Sequence, residues 1–148
     1  MANPNCPAEG TVEATSIPFS KLKSLHVGNT SANVEPSKLE RLLQLARNLK
    51  SMGLYHCDLR SLPHGMRHLS SLRELNICNC QGSLPKWIRN FSSFETLMLS
   101  YYSKLTHLPS EMRNLPRLKV LKIINYLALN ERSIIDGIFQ SLFGRWGM

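Results

Sequence analysis

Four cysteines and five histidines are the residues of this 148-residue chain best equipped for chemistry. Cys78-Asn79-Cys80, together with His56-Cys57 further upstream, offers thiolate and imidazole groups of the kind that hold zinc. Structural zinc sites need wider ligand spacings than C-x-C or an adjacent His-Cys, so the pattern matches none of them. His64 and His68 stand at i, i+4, which would place two imidazoles on one helix face. Met66 between them is apolar, and no acidic third ligand lies nearby in the chain. The remaining histidines, His26 and His107, add no metal spacing, and no G-x-S-x-G nucleophile elbow is present. The residues therefore point to no catalytic group, no metal and no cofactor.

Charge comes next. The net charge is +8, which raises nucleic acid as a partner. The lysines and arginines are spread along the chain without a basic run, and aromatics are only 7%, too few for a base-stacking platform. Nucleic acid is not expected. No apolar run reaches the roughly 18–20 residues that cross a bilayer. The opening MANPNCPAEGTVEATS lacks the basic start and apolar centre of a secretory signal and reads as a flexible tail over 1–16. The sequons at Asn29 and Asn90 are expected to be idle without such a signal.

The decisive pattern is an internal repeat. On the frame L-x-x-L-x-L-x-x-C, one copy reads Leu49, Met52, Leu54, Cys57 and the next Leu72, Leu75, Ile77, Cys80. Two more read Phe94, Leu97, Leu99 and Leu118, Leu121, Ile123, with Tyr102 and Tyr126 in the cysteine slot. A weaker first copy reads Leu22, Leu25, Val27, and successive copies start 27, 23, 22 and 24 residues apart. Each copy continues alike: Leu59, Leu62-Pro63, Met66, Leu69; then Leu84-Pro85, Ile88, Phe91; then Leu105, Leu108-Pro109, Met112, Leu115.

In L-x-L, alternation sends two apolar side chains to one face of a short strand and the residues between them to the other. So short a strand cannot bury its face alone, but copies stacked in parallel at about 4.8 Å merge those faces into one core. The cysteine slot falls where the chain leaves the strand, and Cys57 and Cys80 are read as small buried donors to loop carbonyls. Alternation turns Cys78 outward, which leaves it without a structural role. The Leu-Pro pairs open the returning convex segment, where proline gives up a donor that has no ladder to join. The x-x-M/I-x-x-L that follows suits a short helical or 3-10 turn. The longer first copy predicts a convex α-helix over 36–47, opened by Pro36. Ile134, Ile135, Ile138, Phe139, Leu142 and Phe143 predict a terminal helix that closes the open end of the stack. The expected organisation is a tail over 1–16, about five repeats over 17–126 and a helical cap over 127–148. The fold class is an α/β leucine-rich repeat solenoid with a curved parallel sheet on its concave side.

The combined run L-x-x-L-x-L-x-x-C-x-x-L-x-x-L-P-x-x-M/I-x-x-L resembles the leucine-rich repeats of plant intracellular nucleotide-binding disease-resistance proteins. The resemblance is carried by Leu49 to Leu69, Leu72 to Phe91 and Phe94 to Leu115, and extends more weakly to Leu22 and Tyr126. It implies a non-enzymatic, cytoplasmic module that recognises a pathogen effector or a guarded host protein, or that folds back on a nucleotide-binding module. The sequence has no G-x-x-x-x-G-K-[ST] loop and no heptad region, so an isolated repeat domain or fragment is expected. The other reading is a standalone adaptor or scaffold with an unrelated signalling partner, since fold alone does not assign function.

Protein binding is expected on the concave face, at the positions between the core leucines. The candidates are Ser51 and Tyr55, then Glu74, Asn76 and Cys78, then Thr96, Met98 and Ser100, then Lys122 and Ile124, with Tyr55 and Met98 as apolar anchors. Two basic columns are also expected. One runs through Lys23, Lys50, Arg73 and Lys119, interrupted by Glu95, and the other through Arg67, Arg89 and Arg113.

Overall fold

The computed structural model describes residues 18–28, 36–101 and 108–124. The expected tail, Cys6, Tyr102 and Tyr126 in the turn slot, and the expected cap all lie outside the described residues.

Five parallel strands form one sheet in chain order: β1 (Ser24–Gly28), β2 (Ser51–Tyr55), β3 (Glu74–Cys78), β4 (Thr96–Ser100) and β5 (Val120–Ile124). The register follows the repeat frame. Leu25, Met52, Leu75, Leu97 and Leu121 align across all five strands, as do Val27, Leu54, Ile77, Leu99 and Ile123. A slip of one residue in any strand would turn its leucines out to the concave side, so burial itself pins the register.

The strands' inner side chains join Leu49, Leu72, Phe94 and Leu118 and the convex turns in one continuous core. Convex 3-10 turns span His64–His68, Lys86–Asn90 and Ser110–Asn114, each capped by a proline: Pro63, Pro85 or Pro109. Their inner residues Met66, Ile88 and Met112 are buried, as are Leu69, Phe91 and Leu115 just beyond. Phe91 lies edge-on to Trp87 at 5.6 Å and to Phe94 at 5.7 Å, filling the space between convex turn and sheet.

The longer first unit forms α1 (Pro36–Leu45) on the convex side. It buries Leu39 and Leu43, with Ala46 following, and exposes Leu45. It is shorter than the expected 36–47 because the chain turns at Arg47-Asn48, where the Asn48 amide donates to the Ser20 carbonyl at 2.8 Å. Among the described residues no helix is long and apolar enough to cross a membrane.

Candidate functional site

The register sets the outward residues in three rows across the concave face. The first holds Ser24, Ser51, Glu74, Thr96 and Val120. The second holds His26, Gly53, Asn76, Met98 and Lys122, and the third Gly28, Tyr55, Cys78, Ser100 and Ile124. Every candidate site residue thus falls on the face where alternation placed it, but accessibility within the rows is uneven. Glu74 and Lys122 are exposed, and Ser51, Asn76, Thr96, Met98 and Ile124 are half-buried.

Tyr55, Cys78 and Ser100 are buried, contrary to the expectation that they present open surface. Tyr55 is only 6% exposed, so it is not a free anchor. The cause begins at Gly53, which leaves a hollow between the His26 and Tyr55 rings. A Cβ at Gly53 would come within 2.5 Å of both His26 Nδ1 and the Tyr55 hydroxyl. Those two atoms instead meet each other at 3.0 Å, and the rings stack at 5.7 Å. Burial pushes the Tyr55 hydroxyl pKa up, opposed by the neighbouring Asn76 amide. Tyr55, Cys78 and the half-buried Tyr101 form a second apolar cluster on the concave side. Cys78, left without a role by the sequence, is disulfide-bonded. Asn76 Oδ1 and the Ser100 hydroxyl are buried without a hydrogen-bond partner among the described residues.

The turn slot behaves as expected of Cys57 and Cys80, which are buried. The Cys80 thiol lies 3.4 Å from the Cys78 carbonyl and 3.5 Å from the Leu54 carbonyl, while its sulfur accepts the Cys57 N–H at 3.4 Å. The Cys57 thiol lies 3.2 Å from the Tyr55 carbonyl and 3.7 Å from that of Val27. Each sulfur thus ties one repeat to its neighbour. The hydrogen bond with Cys57, reinforced by burial, holds the Cys80 thiol well above the ordinary range, which suits a structural group and not a nucleophile.

One step before the cysteine slot is a feature the sequence reading missed. His56, Asn79 and Tyr101 all adopt left-handed backbone, with φ of 54°, 50° and 54°. Their N–H groups continue the ladder to the Cys78, Ser100 and Ile124 carbonyls, and the Asn79 amide meets His56 Nδ1 at 2.9 Å. His56 and Asn79 are of types enriched there, whereas Tyr101 is not. The repeated offset after L-x-L is the one signal that could have revealed the column. Nearby, Asp58 caps the 3-10 turn Leu59–Ser61 and pairs with Arg60 at 2.7 Å, and that exposed pair draws the Asp58 pKa down.

Among the described residues no three His, Cys, Asp or Glu side chains converge as a metal site. His64 and His68 are both exposed on a 3-10 turn, and His64 Nδ1 meets the Arg67 guanidinium at 2.8 Å.

Residues 71–126, from the turn before β3 past the end of β5, match the family model described as R13L1/DRL21 LRRs. The five-stranded ladder and the matched segment are those of a leucine-rich repeat solenoid. The matched segment is consistent with the leucine-rich repeat domain of plant disease-resistance proteins. No curated protein matches the chain.

Proposed function

We propose that the chain is a protein-recognition module of plant defence. Its concave sheet reads a pathogen effector, a guarded host protein or a nucleotide-binding module, and it works in the cytoplasm without a catalytic step. One observation supports this most: five strands in strict register carry uniform Leu, Ile, Val or Met inward and a different residue at nearly every outward position. A rigid ladder with varied side chains suits recognition, because little ordering entropy is lost when a partner docks. The accessible contacts are Ser51, Glu74, Asn76, Thr96, Met98, Lys122 and Ile124. Tyr55, Cys78 and Ser100 shape the face from beneath.

The test is pairwise binding of the full chain to a panel of pathogen effectors and plant nucleotide-binding modules. It is repeated with Glu74→Lys, Met98→Asp and Lys122→Glu combined. Binding to a panel member that this variant abolishes, with its thermal melt unchanged, supports the proposal. Binding indifferent to all three changes overturns the concave assignment. Binding only to signalling proteins outside defence would make the chain an adaptor instead.

A further inference from the structure

Lys23, Lys50 and Arg73 each immediately precede a strand, and the backbone ladder runs through them. The Lys50 N–H donates to the Lys23 carbonyl at 2.8 Å, and the Arg73 N–H to the Lys50 carbonyl at 2.8 Å. The three residues are therefore stacked one strand spacing apart, about 4.8 Å per step, along the rim where the chain enters the sheet. Lys23 and Arg73 are exposed and Lys50 half-buried. Among the described residues none of the three forms an ion pair, whereas the next two members of the column, Glu95 and Lys119, pair at 3.8 Å. The first three strands are thus entered, among the described residues, through an uncompensated stripe of three cations, bounded on one side by a neutralised pair. Among the described residues the carboxylate flanking the stripe on the concave side is Glu74.

Backbone hydrogen bonds fix the Cα atoms of these three residues one strand spacing apart, so their side chains share one stretch of the rim. Salt or an external anion relieves the repulsion among them. The spacing points to the kind of anion. Carboxylates at i, i+4 on an α-helix have Cβ atoms about 5–6 Å apart, near the strand spacing, so successive turns meet successive repeats.

We infer that the rim formed by Lys23, Lys50 and Arg73 docks an acidic α-helix of a partner protein, laid across the strands with Asp or Glu at i, i+4 and i+8. The inference rests on the reading of the chain as a protein-binding module but names a surface beside the concave face. The concave variant above keeps Lys23, Lys50 and Arg73 and removes the flanking Glu74 carboxylate, so it should not weaken this contact, and the two readings fail separately.

The probe is a labelled alanine-based helical peptide with glutamates at i, i+4 and i+8, titrated by fluorescence anisotropy into the full chain at about 50 mM and about 300 mM salt. Comparison peptides carry the same residues with the glutamates spread around the helix. Changing Lys23, Lys50 and Arg73 together to Glu should weaken binding by about tenfold or more, the product of three exposed pairs. The milder triple change to Gln gives the same order of effect should the Glu version fail to fold. Changing the convex Arg60, Arg67 and Arg89 to Glu alters net charge equally and should cost no more than about twofold, through screened long-range field alone. The inference is overturned if the convex variant loses as much as the rim variant, or if the scrambled peptide binds as well as the striped one. It is equally overturned if a single-stranded oligonucleotide of equal charge binds the rim more tightly than the peptide, which would make the stripe a nucleic-acid contact.

Discussion

Cys80 serves two repeats at once, accepting the Cys57 N–H while its thiol faces the Leu54 and Cys78 carbonyls, and this arrangement requires it to stay neutral. In the folded chain it remains protonated above pH about 8.5, where an exposed thiol ionises. Above that pH the unfolded state loses a proton that the native state keeps. Stability therefore falls as pH rises, by up to about 1.4 kcal/mol per unit for this group, with Tyr55 adding in the same sense above its own ordinary range. Denaturant melts between pH 7 and pH 10 should show the decline, and a flat profile would refute it. Iodoacetamide labelling mapped by mass spectrometry should leave Cys57 and Cys80 unmodified until the chain is unfolded. The left-handed column gives a second test at this scale. Asn79→Val forces a branched side chain to φ near 50° and should cost about 1–3 kcal/mol, clearly more than Asn79→Gly, which loses only the exposed amide contact with His56. Equal losses in urea melts would mean that the turn does not constrain this position.

At the scale of elements, the five strands and their register were legible because a two-residue alternation repeated every 22 to 27 residues admits one pairing. The proline-capped 3-10 turns were legible for the same reason: Leu-Pro followed by x-x-Met/Ile recurs at a fixed offset. What alternation could not show is which concave positions stay open. Tyr55 lies diagonally across from His26, a relation set by side-chain direction over Gly53 and not by period, so its burial was invisible in one dimension. The Cys78 bond and the left-handed column escaped likewise, since neither departs from the repeat frame. Core packing is where the frame makes its firmest demand. Leu97 is fully buried in β4, and Leu97→Asp would place an unpaired carboxylate among leucines at a cost of several kcal/mol. Circular dichroism should show an unfolded chain, and a soluble variant with a cooperative melt would sink the frame. Phe91→Ala removes the ring wedged between Trp87 and Phe94 and should cost about 3–5 kcal/mol.

Across the whole molecule, stability in a stack of repeats is a sum of terms within each unit and between neighbours, so position along the stack matters as much as residue type. Strands β2 to β4 have partners on both sides, and each buries at least three of its five residues. In β5 no residue is fully buried: Leu121 and Ile123 are half-buried, and Val120 is 46% exposed. The same leucine slot should therefore carry different weight in different repeats. Leu97→Ala should cost about 3–4 kcal/mol, whereas Leu121→Ala, with less apolar area to lose and more room to relax, should cost about 1–2 kcal/mol. The same gradient should appear in motion. Among the described residues β5 has one strand neighbour and β3 has two, and β5 is the less buried, so amides of Val120–Ile124 should exchange with deuterium well before those of Glu74–Cys78. Leu121→Ala should speed exchange in β5 while leaving β3 nearly unchanged. Leu97→Ala should speed exchange on both sides of β4, because the Leu97 side chain lies between Leu75 and Leu121 in register. If all five strands instead exchange at one rate, and both alanine variants raise that rate everywhere, the stack opens only as a single cooperative unit and nearest-neighbour additivity fails for this chain.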